Sequence, residues 1–508
     1  AWICSLLITV VLLFPEAGKA ATIDHHTIER IEDEIMKNMD RHHIPGMAFV
    51  LADQSGVVYA KGFGLLHMHD DQAIVNEHSN FKIGSISKVF TAMAIMQLHE
   101  QGLIHIQDPL NQYLPWFATK DRARSDLITI EHLLTHTSGL PDRLNAHDIL
   151  SSDVDKIQEA LQEKLRPITL SHHPGEAIEY TNMNMDLLQV LIEVVTGEAF
   201  PEYMEANFFG PLGMQRTGYY DYTEELPNSA IGHRTHWGKL APYDDRFVYA
   251  SSGSSGLSTN ASDLGAFITF VLNNGQTSPG LVSAESLHAM QKVRTYYPDD
   301  SVGYGYGWLI TPRTIEHAGG RPGYTANMII SSDLTYGFAL LANSKQNITD
   351  ETNYNIYSIL NGEQPRELRL EDYPNISSEA NLVITVTFII FAILLCFVGM
   401  IAYRLVRGTL TIALRKPRMV RLSLWIVTCI VYSYVMYVIY IYLPQFIIGV
   451  PYLFDFQMDP DLTQGLLLFT IVASGLFVLM SLHLLFLEKN PTRDQQHHNR
   501  QWSGGDFF

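Results

Sequence analysis

Ser85 and Lys88 stand three residues apart in the stretch FKIGSISKVFTAMAIMQLHEQG, which runs from Phe81 to Gly102. On a helix, a three-residue step places both side chains on one face. A serine hydroxyl is a weak nucleophile, so it needs a neighbouring base and donors for the oxyanion that its attack creates. Unpaired N–H groups and the positive dipole end at a helix N-terminus favour that anion. They also favour a neutral, proton-accepting amine on Lys88. The following residues (Val89, Phe90, Met93, Ala94, Ile95, Met96, Leu98) are apolar nearly all round, which predicts a buried helix that holds the serine rigidly. Ser-x-x-Lys alone is a weak motif, and Ser79 and Lys82 share the spacing. There Gly84 follows and no helix opens, so Ser79 reads as part of an incoming strand.

Two further segments carry groups that such a serine requires. Tyr180-Thr181-Asn182 follows Pro174-Gly175-Glu176 and precedes a helix pattern, so the tyrosine sits on a turn. A tyrosine whose pKa is lowered by a nearby ammonium can take the serine proton, and an asparagine beside it can hold a substrate amide oxygen. The plainer reading is a packed loop tyrosine. His-x-Gly occurs at His173, His236 and His317. Only His317-Ala318-Gly319-Gly320 lies between strand-like runs and leads into Arg321-Pro322-Gly323-Tyr324, where backbone N–H groups of a glycine-rich edge could complete an oxyanion hole. The histidine clusters (His25, His26; His42, His43; His67, His69; His172, His173) lie in separate polar segments without one metal-binding spacing. No metal and no cofactor are expected.

In that order and at those separations, Ser85-Ile86-Ser87-Lys88, Tyr180-Thr181-Asn182 and His317-Ala318-Gly319 resemble the three motifs of the class C β-lactamase and penicillin-binding serine hydrolase family. Leu133-Leu134-Thr135-His136-Thr137-Ser138-Gly139-Leu140-Pro141, Pro211-Leu212-Gly213-Met214 and Tyr304-Gly305-Tyr306-Gly307-Trp308 are similar to it as well, and the likeness covers residues 28–362. The resemblance implies Ser85 as nucleophile, Lys88 and Tyr180 as the base pair, and Asn182 as a substrate ligand. It also implies an oxyanion hole from the backbone N–H of Ser85 and Gly320, beside Gly319. His317 stands where many members carry Lys, and an imidazole grips a carboxylate less firmly than an ammonium. Lys82 and Arg321, if they face the pocket, would favour an anionic substrate.

The elements that must position these groups begin with a helix over 28–41, followed by strands over 47–52 and 57–62 joined by a hairpin. Mostly helix and loop run to about residue 275, then strand-like runs over 307–311, 324–331 and 336–342, and a closing helix over 349–361. Strands at both ends with helices between them predict an α+β fold. With the resemblance, this is a β-lactamase/transpeptidase-like antiparallel sheet with an inserted all-helical lobe, followed by a three-helix transmembrane region.

The ends of the chain are apolar. Residues 1–21 read as a signal peptide with small residues at the cleavage site. The hydrolase domain is expected over 22–362 and a polar linker over 363–380. Runs at 381–403, 422–448 and 464–487 are long enough to span a bilayer. The loop 404–421 carries Arg404, Arg407, Arg415, Lys416, Arg418 and Arg421 without an acid, whereas 449–463 carries Asp455, Asp459 and Asp461 without a base. The first loop and the tail 488–508 are therefore expected in the cytoplasm, and the hydrolase domain outside it. With the first 21 residues and everything from 379 onward set aside, 24 basic residues face 45 acidic ones, a balance that argues against nucleic acid as a partner. Cys4, Cys396 and Cys429 all lie outside the hydrolase domain, which excludes a disulfide scaffold and a cysteine nucleophile there.

These readings converge on a multi-pass cell-membrane serine hydrolase working through an acyl-enzyme outside the cytoplasm. Its expected partners are small amide, ester or lactam substrates, the lipid bilayer and an exporter. A peptidase or esterase comes first. The domain plan also resembles prodrug-activating D-amino-acid peptidases of nonribosomal-peptide pathways, although Lys82 and Asn182 stand where those carry an acid and a serine. β-Lactamase action ranks third, and a non-enzymatic β-lactam sensor is disfavoured by its short cytoplasmic parts.

Overall fold

The structure, a computed structural model, describes residues 23–366 except 143, 221–225, 237–238, 299–301 and 345–348, together with scattered positions from 385 to 489. The chain forms two units, one of residues 1–234 with 240–368 and one of 235–239 with 369–508.

In the first unit, α1 (His25–His42) starts where the Asp24 carboxylate accepts from the Thr27 N–H at 2.8 Å and ends at His43 in the left-handed conformation. It leads into β1 (Gly46–Asp53) and β2 (Gly56–Gly64), the expected hairpin. The sheet is completed from the far end of the domain by β3 (Thr295–Tyr296), β4 (Gly303–Tyr304), β5 (Leu309–Ile310), β6 (Thr314–Arg321), β7 (Tyr324–Ser331) and β8 (Tyr336–Ala342). The eight strands run antiparallel in the order β2-β1-β8-β7-β6-β5-β4-β3. The two ends meet at β1 and β8, with Met47 opposite Ala342, as expected from strands at both ends.

Both faces of the sheet are covered. On one, Ile31 and Ile35 of α1 and Ile356 and Ile359 of α7 (Thr349–Leu360) pack on Met47, Phe49, Leu51, Phe338 and Leu340. The alternate residues Ala48, Val50 and Ala52 belong to the larger core with α2 (Ser87–Glu100) and α6 (Ala261–Leu272). That larger core continues through the inserted lobe, where α3 (Ile130–Leu134), α4 (Val154–Leu165) and α5 (Asn182–Thr196) lie.

Three local expectations need correction. Ser85 precedes the helix, on a tight turn over Gly84–Ile86, because the Ser87 hydroxyl closes the turn on the Gly84 carbonyl at 2.7 Å before α2 begins. The lobe is not all helical, since Phe81–Lys82 pairs antiparallel with Ser258–Thr259. His317 lies inside a strand, β6, rather than between two. Ser79 is structural: its hydroxyl accepts from the Asn76 N–H and donates to Asn228, both at 2.9 Å.

In the second unit, a helix over Met419–Tyr437 falls on the expected middle span, with Trp425 donating to Ser481 at 3.0 Å. Strands Leu410–Ile412 and Leu487–Lys489 pair antiparallel. Among the described residues no helix is long and apolar enough to cross a membrane. The signal segment, the 449–463 loop, most of the linker, the tail and the first expected span, and part of the other two spans lie outside the described residues.

Candidate active site

The turn that carries Ser85 is pressed against β6, and two glycines make the approach possible. Gly84 has φ +52°, and a side chain there would come within 2.5 Å of the Gly320 carbonyl oxygen. At Gly319 a Cβ would sit 1.8 Å from the Ile83 carbonyl oxygen and 3.1 Å from the Ser85 nitrogen. β6 pairs with β5 only at Ile315 and Glu316, which leaves His317 to Arg321 as an edge toward the turn.

Lys88, in the first turn of α2, is fully buried. Its Nζ donates to Ser85 Oγ at 3.0 Å, to Asn182 Oδ1 at 2.8 Å and to the Ser254 carbonyl at 2.7 Å. Burial pushes its pKa below the ordinary lysine value, while the charge of Asp186 pulls it up. Asn182 opens α5, and with its Oδ1 engaged by Lys88 its amide N–H groups are the ones available to a substrate carbonyl.

Tyr180 hydrogen-bonds Ser85, and Lys88 Nζ lies 5.0 Å from its ring centre. The expected lowering of its pKa does not occur. Burial of the hydroxyl pushes it above the usual tyrosine value, with only the Ser85 hydrogen bond opposing, so the side chain stays a neutral phenol. His317, 2 % exposed, has its ring 6.4 Å from that of Tyr180 and its Nδ1 2.6 Å from the Ala318 carbonyl. Burial, and then Lys88, push it down to about 3, so it is a neutral imidazole.

Several neighbours escaped the sequence reading. Asp186, one turn beyond Asn182 on α5, is buried, accepts from the Ala146 N–H at 3.0 Å, and is pushed above the usual carboxylate range by burial. His136, with φ +56°, packs its ring against that of Tyr180, 4.3 Å between centres and tilted by 33°, and meets the Asn184 amide at 2.9 Å. The four-residue step from Asn182 was the only signal for Asp186; His136 lay in a recognised motif, which assigned it no role.

Lys82 and Arg321 do not present free charge to the site. Arg321 forks onto Asp245, with Nε 2.8 Å from Oδ2 and Nη2 2.9 Å from Oδ1, and a further donor reaches Ser255 at 3.3 Å. Lys82 Nζ lies 3.4 Å from the same carboxylate and donates to the Asp245 backbone carbonyl. The anion preference expected from these two residues is weakened, because both are tied to the Asp245 carboxylate, although its one negative charge offsets only one of the two positive ones. Removing that acid as Asp245→Ala should destabilise the fold by about 3–5 kcal/mol by leaving buried cations unpaired, and thermal melting measures it. An unchanged melting temperature would show that the triad is not the clamp described.

A sheet of this order with a helical lobe, and a turn serine beside a buried lysine, define the class of active-site serine proteins built on Ser-x-x-Lys. Residues 28–361 match the family model described as Beta-lactamase, and the chain belongs to that family of serine hydrolases and penicillin-binding protein homologues. It is 28% identical over 352 residues to the putative penicillin-binding protein PbpX of Bacillus subtilis (strain 168), covering 66% of this chain and 83% of that one. To Protein flp of Staphylococcus aureus (strain NCTC 8325 / PS 47) it is 25% identical over 317 residues, covering 62% of this chain, and the match spans 63% of the length of that protein. The octameric penicillin-binding protein homologue from Pyrococcus abyssi superposes with a TM-score of 0.59 at 27% identity, over 67% of this chain and 78% of that one. A class C beta-lactamase mutant shares the fold, with a TM-score of 0.57 at 18% identity, over 68% of this chain and 99% of that one.

Proposed function

We propose that this chain is a membrane-held serine hydrolase that cleaves small amide or ester substrates outside the cytoplasm through an acyl-enzyme on Ser85. The observation that carries the reading is the 3.0 Å contact between Ser85 Oγ and the buried Nζ of Lys88. In its neutral form Lys88 takes the serine proton as Oγ bonds to the substrate carbonyl carbon. The N–H groups of Ser85 and Gly320 hold the resulting oxyanion, and the Asn182 amide holds the acyl side. As the carbon–nitrogen or carbon–oxygen bond breaks, Lys88 returns the proton to the leaving group, with the neutral Tyr180 phenol relaying it. Water then repeats the cycle and frees the acid. With the donors of Lys82 and Arg321 occupied by Asp245 and its neighbours and His317 neutral, no side chain named here offers a carboxylate a free ammonium or guanidinium, so neutral esters and amides suit the site better than carboxylate-bearing ones.

The test is a fluorophosphonate probe followed by paired neutral and carboxylate-bearing esters. An adduct on Ser85 and a higher kcat/KM for the neutral ester are expected. Absence of any Ser85 adduct would sink the reaction, whereas a higher kcat/KM for the anionic ester would sink only the substrate class.

The lysine also sets a pH dependence. Because its folded pKa is depressed, the base form appears as pH rises through a value well below that of a free lysine, and acylation should climb there. Asp186→Asn removes the charge that raises Lys88, so that limb should move to lower pH in single-turnover acylation. A limb that stays in place would separate Asp186 from the lysine.

Anchorage is supported by the three apolar runs and the opposite charge of their loops. Protease added to intact cells should cut within 363–378 and release an active fragment. A reporter fused after Phe508 and found outside the cell would overturn this topology.

A further inference from the structure

The face of the sheet turned away from Ser85 carries a cleft of about 320 Å³ between β6, β7 and α7. Thr314, Glu316, His317 and Ala318 of β6 line it together with Asn327 and Ile329 of β7 and Asn353 and Tyr357 of α7. Its polar groups are unusual in what they lack. Asn327 is 5 % exposed and Asn353 4 %, yet Asn327 Nδ2 and Asn353 Oδ1 have no hydrogen-bond partner. An unmatched buried donor or acceptor costs about 1–3 kcal/mol, and native proteins seldom keep one without a use. Here one donor and one acceptor line the same cleft. A water occupies roughly 30 Å³, so the space far exceeds one or two bridging waters and lies in the range of small-molecule sites.

The remaining lining narrows the ligand. Arg313 at the rim is paired with Glu363 at 3.3 Å, and Glu316 accepts from the Thr314 hydroxyl at 2.7 Å. Arg313 is thus ion-paired while Glu316 contributes a carboxylate, which disfavours an anionic ligand, and the donor and acceptor of the two asparagines suit a neutral amide. Ile329, Tyr357 and the exposed Tyr354 supply an apolar and aromatic wall. We propose that this cleft binds a small uncharged carboxamide with an apolar body, whose carbonyl accepts from Asn327 and whose N–H donates to Asn353. The ligand would rest on β6, the strand that turns Gly319 toward Ser85 and gives His317 to both the cleft and the active site, but its recognition by Asn327 and Asn353 does not depend on the catalytic assignment.

The test uses 3-phenylpropanamide and 4-phenylbutan-2-one, which share a skeleton but differ in that a methyl replaces the amide NH2. Ligand-observed NMR titration of the full chain should give about tenfold tighter binding of the amide, the scale of one hydrogen bond. The preference should fall to about onefold in Asn353→Leu, and Asn327→Leu should weaken both ligands. Without ligand, Asn353→Leu should melt no lower than the parent, since an unmatched acceptor is removed. Equal affinities in the parent chain, or a preference that survives Asn353→Leu, overturns the proposal. Should a variant fail to fold, crystals soaked with 3-phenylpropanamide decide: amide density between Asn327 and Asn353 supports the site, and water alone or amide elsewhere overturns it.

Discussion

Ser85→Ala should abolish labelling by a fluorophosphonate and lower turnover by up to about 10⁶-fold, the scale for removing a nucleophile from an assembled site. The fold should survive, because Ser85 lies on a turn that the Ser87 hydroxyl closes independently, and thermal melting reads that out. Ser79→Ala is the matched control. Its hydroxyl is committed to Asn76 and Asn228, so its loss should affect stability and leave labelling of Ser85 intact. Full activity in Ser85→Ala together with loss in Ser79→Ala would reverse the assignment.

The second large effect is expected at the base. Lys88→Ala should cost about 10³–10⁴ in acylation rate, because no other amine contacts Ser85 among the described residues. Tyr180→Phe should cost less, since the phenol is a relay that stays protonated rather than the proton acceptor. The double variant should be hardly worse than Lys88→Ala alone, as groups acting in one proton path do not add. Strictly multiplicative losses in single-turnover kinetics would mean that the two side chains act in separate steps.

What the sequence disclosed follows from the range over which its signals act. Ser85 and Lys88 were readable because three-residue spacing and an apolar run are local, and β1 and β8 because they are almost wholly apolar, while β7 kept the apolar run Met328-Ile329-Ile330. β6 was not readable: TIEHAGGR mixes acid, imidazole and glycine, and only its pairing with β7 makes it a strand. The role of Arg321 was misjudged for a similar reason. Its partner Asp245 is 76 residues away in sequence, and nothing near either residue announces the other. Tyr180 shows a different limit. The nearby lysine was legible, but the desolvation that outweighs it depends on packing by His136 and Tyr304, and so appears only in three dimensions.

The junction of β1 with β8 constrains when the domain can come into being. The Gly46 N–H is met by Asn343 Oδ1 at 2.8 Å across 297 residues of chain, and Met47 to Asp53 of β1 pair with Ala342 to Tyr336 of β8 just before it. A ribosome delivers Gly46 early and Asn343 only 297 residues later. Until then the long, buried β1 has only β2 beside it, and a two-stranded hairpin is marginal in water. The nascent domain therefore stays open for most of its synthesis and closes in one late step, which leaves β1 exposed to any competing edge in the meantime.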